Sequence, residues 1–262
     1  MAREFNGTTD RIDYAVAVDA GALGALSVAF WIIRQAGSAD REYVLNWEAS
    51  GAAKHLLWFD ATEKFGMILA GTTGVEQYSN AVPADDTREH WCFTWSGGLL
   101  STSIQIFRNG TETGYVGGVT GTGTIAATTS INLGGRTSDD LRNFDGELAE
   151  LAMWSRVLSA EERIGLAKGF SPVHYPRGLI FAPGLVRNPT CPITGVSGTL
   201  DGTTVVAHPR AIYPKRRRIW SPPSSPAALT GTAMASITEA DIVAGGKTII
   251  ATLSGGATFI PN

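Results

Sequence analysis

The chain is 262 residues long and 44% apolar, with 31 glycines and a formal net charge of −3. That length and apolar share can build one sizeable core, and the weight of Gly, Ser and Thr excludes a largely helical protein. No run of about 18 apolar residues occurs, so no transmembrane helix is expected.

The opening stretch, "MAREFNGTTDRIDY", carries charges and lacks the apolar core of a signal peptide. From there to about residue 155, short alternating or apolar runs are punctuated by Gly, Asn, Asp and Ser. In order, "RIDYAVA", "LSVAFWIIR", "YVLNWE", "LLWFDA", "FGMILAG", "HWCFTWSG", "SIQIFRNG", "INLGGR" and "ELAELAMW" read as strands. Their spacing of about 10–15 residues, with no helical pattern between them, predicts a two-sheet antiparallel jelly-roll sandwich. Asn109-Gly110 marks a turn between the runs 104–108 and 112–116. The "NGT" triplets at Asn6 and Asn109 are read as turn chemistry rather than as glycosylation sites.

The period then changes in "SAEERIGLAK". Ser159 as N-cap, Glu162 three residues on and Gly169 beyond the end predict one short helix, with Ile164 and Leu166 docking on the sandwich. Residues 171–220 are rich in Pro and Gly, hold strand-like runs in "GLIFAPGL" and "TTVVAHP", and read as an extension wrapping the sandwich. This extension ends in the basic run Lys215, Arg216, Arg217 and Arg218, so residues 205–262 carry six Lys/Arg against two Asp/Glu while residues 1–204 carry 15 against 22. "SPPSSP" is a linker, and the tail that follows, with "KTIIATL" around Ile249 and Ile250, is too short for its own core. Residues 221–262 are therefore read as linker plus a β arm that pairs with another subunit. Of the two cysteines, Cys92 in "HWCFTW" reads as a small buried hydrophobe and Cys191 in "NPTCPITG" as a loop residue. Without a multi-cysteine framework, a disulfide between them has no support.

The segments "FNGTTDRIDY", "LSVAFWI", "FRNGTETG" and "FDGELAELAMWSRVLSAEE" together resemble the laminin-G-like, concanavalin A-like jelly roll, over roughly residues 3–170. Phe144, Gly146, Leu148, Glu150, Leu151, Trp154, Arg156, Leu158, Ser159 and Glu162 follow its closing motif, while Ala149 replaces the first acidic residue of that motif. "PRGLIFAPGLVRN…GTTVVAHPRAIYPKRRR" and "SITEADIVAGGKTIIATL" are similar to segments of tailed-bacteriophage structural proteins.

Three classes of function were weighed against these residues. A glycosidase needs paired carboxylates on one face, at roughly 5–10 Å. On a regular strand Glu147 and Glu150, three apart, face opposite sides, and the "E-x-D-x-x-E" ladder of the glucanase relatives is absent. No "G-x-S-x-G" occurs, and His55, His90, His174 and His208 are scattered, so no catalytic residue is expected. A binding module would use loop oxygens for Ca²⁺, with Asp10, Asp13, Asp139, Asp140 and Asp145 as candidates, and aromatic rings for sugars, with Trp47, Trp58 and Tyr78 as candidates. No cofactor is required on this reading.

The third class, a virion structural protein, is the one the resemblance favours. It implies a capsid decoration protein, head fibre or tail appendage on the virion surface, assembled in the host cytoplasm, with a lectin-like domain for surface glycans. Its partners would be other virion proteins and further copies of the chain in a dimer or trimer, docked through Arg210, Lys215–Arg218, Ile249 and Ile250. Neither membrane nor nucleic acid is an expected partner, since "PKRRRIW" alone makes no nucleic-acid-binding fold. The alternative is a cellular or extracellular carbohydrate-binding adhesion module.

Overall fold

A computed structural model describes residues 2–35, 41–49, 52–60, 62, 64–137, 142–185, 189–207 and 211–213. The chain divides into two units, Met1–Pro214 and Lys215–Asn262, and the second lies outside the described residues.

The strands begin with β1 (Ala2–Asn6), β2 (Arg11–Tyr14), β3 (Val18–Asp19), β4 (Leu26–Arg34), β5 (Glu42–Ala49) and β6 (Ala52–Phe59). They continue with β7 (Phe65–Leu69), β8 (Val75–Ser79), β9 (Glu89–Trp95), β10 (Ile104–Arg108), β11 (Thr111–Glu112) and β12 (Tyr115–Val119). The last are β13 (Ala127–Thr128), β14 (Ser130–Leu133), β15 (Asp145–Trp154), β16 (Leu179–Phe181), β17 (Thr199–Asp201) and β18 (Thr204–Val206). One sheet runs β11-β10-β9-β4-β15-β1-β18, with β16 also on β15. The other runs β12-β8-β7-β6-β5-β14-β2-β17, and β3 pairs separately with β13. The protein is mainly β, two large antiparallel sheets forming a jelly-roll sandwich.

Alternation fixes which side chains meet between the sheets. From the first sheet come Val28, Phe30, Ile32, Trp91, Phe93 and Trp95; from the second come Trp47, Leu57, Phe59, Phe65, Met67 and Leu69. Phe65 sits at the centre, its ring 4.3 Å from Phe59, 4.9 Å from Phe93 and 5.1 Å from Trp91. Burying each such ring is worth about 1.5–3 kcal/mol.

The residues between these inward positions face outward, and on the first sheet they are apolar too. Ala29, Cys92, Phe107, Ala152 and Trp154 form a second cluster that needs a cover. The cover is α2 (Ala160–Ala167), which contributes Leu166, with Leu158 just before it. Ser159 caps it, its hydroxyl accepting from the Glu162 N–H while the Glu162 carboxylate accepts from the Ser159 N–H at 2.8 Å. Leu166 docks as expected, but Ile164 is 42% exposed, because its position turns it away from the sheet. A four-residue helix, α1 (Ala20–Leu23), adds one turn, started by Asp19 and ended at Gly24.

The Asn109-Gly110 turn joins β10 to β11 with φ of 52° and 83°, both left-handed, as a two-residue hairpin turn requires. The Asn109 side chain also accepts from the His90 N–H, at 2.9 Å. Cys92 lies in the outer cluster and Cys191 in the core between the sheets; both are free and buried. Cys191 stands in a loop between β16 and β17, and its side chain is buried in the core.

The extension adds strands to both sheets. β16 pairs with β15, β17 with β2 and β18 with β1. β17 and β18 are joined at Gly202-Thr203, so one turn carries the chain from the edge of one sheet to the edge of the other.

Candidate functional site

Strand parity predicts opposite faces for Glu147 and Glu150, and the structure corrects this. The register of β15 against β4 slips between Ala149 and Ala152, and Glu150 takes a left-handed φ of 48°. This bulge inserts one residue, so Leu148, Leu151 and Met153 all point into the core although the first two are three apart. Glu147 and Glu150 therefore both leave the core. Each is engaged: Arg88 pairs with Glu147 at 3.0 Å, and the Tyr213 hydroxyl donates to Glu150 at 2.6 Å.

The candidate calcium ligands separate. Asp10 and Asp145 do come to one corner, where Asn6 pairs with Asp145 across β1 and β15. Burial first, and neighbouring Glu4 in both cases, push both carboxyls above their ordinary range; Asp201 adds to the effect at Asp10. The Asn6 side-chain oxygen gathers the N–H groups of Thr8, Thr9 and Asp10 at 2.9, 3.0 and 3.1 Å, which confirms the turn reading of that triplet. Asp139 and Asp140 lie outside the described residues. Among the described residues, no group of three or more His, Cys, Asp or Glu side chains is placed to hold a metal ion.

The candidate aromatics also divide. Trp47 is fully buried between the sheets, 6.0 Å from the His55 ring, and presents no face to a ligand. Its inward parity on β5 is the reason. Trp58 and Tyr78 face outward on the second sheet, with Tyr43 beside them: the Trp58 ring lies 6.3 Å from Tyr43 and 6.2 Å from Tyr78. Gly66 pairs with both Trp58 and Tyr78, and a Cβ there would overlap the Tyr78 ring, so the glycine makes room for the aromatic row. Trp58 is only 5% exposed because the row is roofed by arginine. The Arg41 guanidinium stands 4.8 Å from the Trp58 ring centre, with Arg136 and Arg142 at 5.5 and 5.7 Å from that of Tyr43. Sequence reasoning found Trp58 and Tyr78 but missed Tyr43 and the three arginines.

Next to this row lies a polar one that the sequence reading missed apart from Asp13. Asn46 on β5, Asn132 on β14 and Asp13 on β2 are direct cross-strand neighbours on the same outward face. Asn46 donates to Glu48 at 2.7 Å, and Thr137 donates to Glu48 through both its N–H and its hydroxyl. Yet both amide atoms of Asn132, Asn46 Oδ1 and Asp13 Oδ1 are buried without a hydrogen-bond partner. Burial pushes the Asp13 carboxyl up against the opposing pull of Arg11, and Glu48 adds to the rise.

His55 and His90 are structural, and His208 lies outside the described residues. His55 accepts from the Ala70 N–H through Nδ1 at 3.0 Å, so Nε2 donates to the Ala126 carbonyl at 2.8 Å. Burial pulls it down to about 4 and His90 to about 3. The partner-docking candidates Arg210, Lys215, Arg216, Arg217, Arg218, Ile249 and Ile250 lie outside the described residues.

Residues 6–162, well over half of the chain, match the family described as the concanavalin A-like lectin/glucanases superfamily. The chain belongs to this superfamily. The concanavalin A-like sandwich is also what solved structures share with it. The native heptameric SAP-like pentraxin from Limulus polyphemus superposes with a TM-score of 0.56 at 16% identity, covering 79% of this chain and 94% of that one. A Bacteroides ovatus protein assigned to carbohydrate binding superposes with a TM-score of 0.57 at 14% identity. It covers 79% of this chain, which spans 59% of its length. At such identities the likeness is one of fold. No curated protein sequence matches the chain.

Proposed function

We propose that the unit Met1–Pro214 is a non-enzymatic carbohydrate-recognition module whose site is the outer face of the second sheet. One observation carries the reading: Tyr43, Trp58 and Tyr78 gather around Gly66, with Tyr43 and Trp58 under the arginines and Tyr78 the more open ring, on a face that no helix among the described residues covers, in contrast to the outer face of the first sheet under α2. Outward aromatic rings edged by hydrogen-bonding groups suit sugars, which present both C–H faces and hydroxyls. The non-enzymatic part is supported by the engagement of the carboxylates nearest a glycosidase pattern: Glu147 with Arg88 and Glu150 with Tyr213. A glycan array probed with the full chain tests it. Binding that Tyr78→Ala or Trp58→Ala abolishes is expected; an array without signal, with or without calcium, overturns it.

The finer assignment is to the surface of a bacteriophage virion, as a decoration protein, head fibre or tail appendage. It rests on the sequence of residues 170–220 and 227–262, and its counter-reading is a cellular or extracellular adhesion module. Detection of the chain in purified virions, in symmetric contact with a capsid or tail lattice, is the expected result; a chain absent from particles sinks it. Deleting residues 221–262 should lower the oligomer mass in light scattering while the β circular dichroism persists, and an unchanged mass removes the arm.

A further inference from the structure

We infer that the ligand of the aromatic face is an anionic saccharide, bearing carboxylate or sulfate, held by Arg41 and Arg142; this rests on the carbohydrate-recognition reading above. Several arginines of the described unit are neutralised in place: Arg11 pairs with Asp13, Arg34 with Glu42, Arg88 with Glu147, Arg108 with Glu89 and Arg156 with Glu162. Arg3 and Arg163 instead donate to the backbone carbonyls of Thr203 and Leu158. Arg41 and Arg142 lie beside the aromatic row, and among the described residues neither pairs with a carboxylate. Arg41 is exposed and rests on the Trp58 ring, and Arg142 spends one N–H on the Tyr43 hydroxyl at 2.6 Å while stacking on that same ring.

Stacking occupies the flat face of a guanidinium and leaves its edge donors in a fixed fork, the arrangement that takes a planar oxyanion in two parallel hydrogen bonds. Two carboxylates stand near the row without pairing with either arginine. Glu76 accepts from the Tyr78 hydroxyl at 2.8 Å, and Asp60 accepts the N–H groups of Thr62 and Lys64 in its own turn. Two guanidinium forks on adjoining rings, with no carboxylate partner among the described residues, are complementary to the carboxylate or sulfate of a negatively charged sugar, whereas a neutral sugar gives them no charge to hold.

The test is titration of the full chain with an oligogalacturonate, a heparin-derived oligosaccharide, maltohexaose and a poly-glutamate peptide at low and physiological salt. The acidic oligosaccharides should bind, more weakly as salt rises, and Arg41→Ala and Arg142→Ala should each weaken them about tenfold or more, as expected for loss of a charge-assisted hydrogen bond. Arg41→Lys should recover only part, since it lacks the fork. Near-ultraviolet circular dichroism of each variant checks that the aromatic row persists. Equal binding of maltohexaose, unaffected by Arg41→Ala, overturns the anionic ligand and leaves the carbohydrate reading standing. Binding of poly-glutamate as tight as that of the sugars overturns it in favour of an acidic protein partner. Absence of any saccharide binding removes both.

Discussion

Asn132 offers a direct test of the buried polar row. Its side chain is 0% exposed, and neither amide atom has a hydrogen-bond partner. A buried polar group left unpaired costs about 1–3 kcal/mol, whereas an apolar side chain of similar size in its place restores that cost and gains burial. Leu keeps the branched outline of Asn at a larger volume, and the row already meets Leu56 across β6 from Asn46. Asn132→Leu should therefore stabilise the unit by about 2 kcal/mol, roughly 4–8 °C in midpoint for a domain of this size. Guanidinium denaturation and scanning calorimetry read the change. The contrasting Asn132→Asp places a third carboxylate beside Asp13 and Glu48 and should destabilise by several times that amount. Should Asn132→Leu instead lower stability by more than about 1 kcal/mol, the amide has a partner in solution and the reasoning from orphaned atoms fails.

Four further outcomes are expected. Ser159→Ala, which removes the hydroxyl half of the capping box and leaves the backbone N–H to Glu162, should cost about 1 kcal/mol in chemical denaturation, and a change under about 0.3 kcal/mol would contradict the cap. Leu166→Ala opens a cavity over Trp154 and Cys92 and should cost about 2–4 kcal/mol, read as a lower denaturation midpoint. Gly66→Val drives a side chain into Tyr78 and should weaken glycan binding more than it lowers stability; binding kept at the native level would separate the row from the site. On acidification, His55 and His90 resist protonation when folded, down to about 4 and about 3, while the unfolded chain takes protons near 6.5. Their stabilisation is whole above about 6.5 and is lost as pH falls towards 4, about 3 kcal/mol for His55. Glu42 runs the other way, since burial raises it to about 7 and it gains stability as pH falls from 7 towards 4.5. Glu42→Gln should consequently steepen the acid loss in denaturation measured between pH 7 and 5, and an unchanged slope would refute the balance.

Much of the architecture was legible because inward strands announce themselves. "LSVAFWIIR" became β4 residue for residue, since both of its faces are covered and nearly every side chain is apolar. β1, β8 and β12 went unread. "AREFN" and "VEQYS" mix charge with few inward residues, and "YVGGV" is broken by glycine. The bulge at Glu150 could not be read from period alone, because a single left-handed residue restores an apparent mismatch between Leu148 and Leu151. At the site, aromatic identity pointed to Trp58 and Tyr78, but nothing local distinguishes Trp47, whose burial follows from the partner it meets in the opposite sheet. Arg136 and Arg142 over Tyr43 come from a segment far from that ring in sequence, and only the fold brings Arg41 and Arg142 to neighbouring rings.

The turn at Gly202 rivets the two layers at one corner. β17 and β18 leave it to edge different sheets, against β2 and β1 respectively. A side chain at Gly202 would collide with Asp10, which itself lies in the link between β1 and β2, so one crossing is clipped onto the other. Neither sheet can shed its last strand alone: pulling one free strains the other. A chain cut at residue 170 would bare the flanks of β1 and β2 together, two open ladders side by side, and would be prone to stick to its own copies.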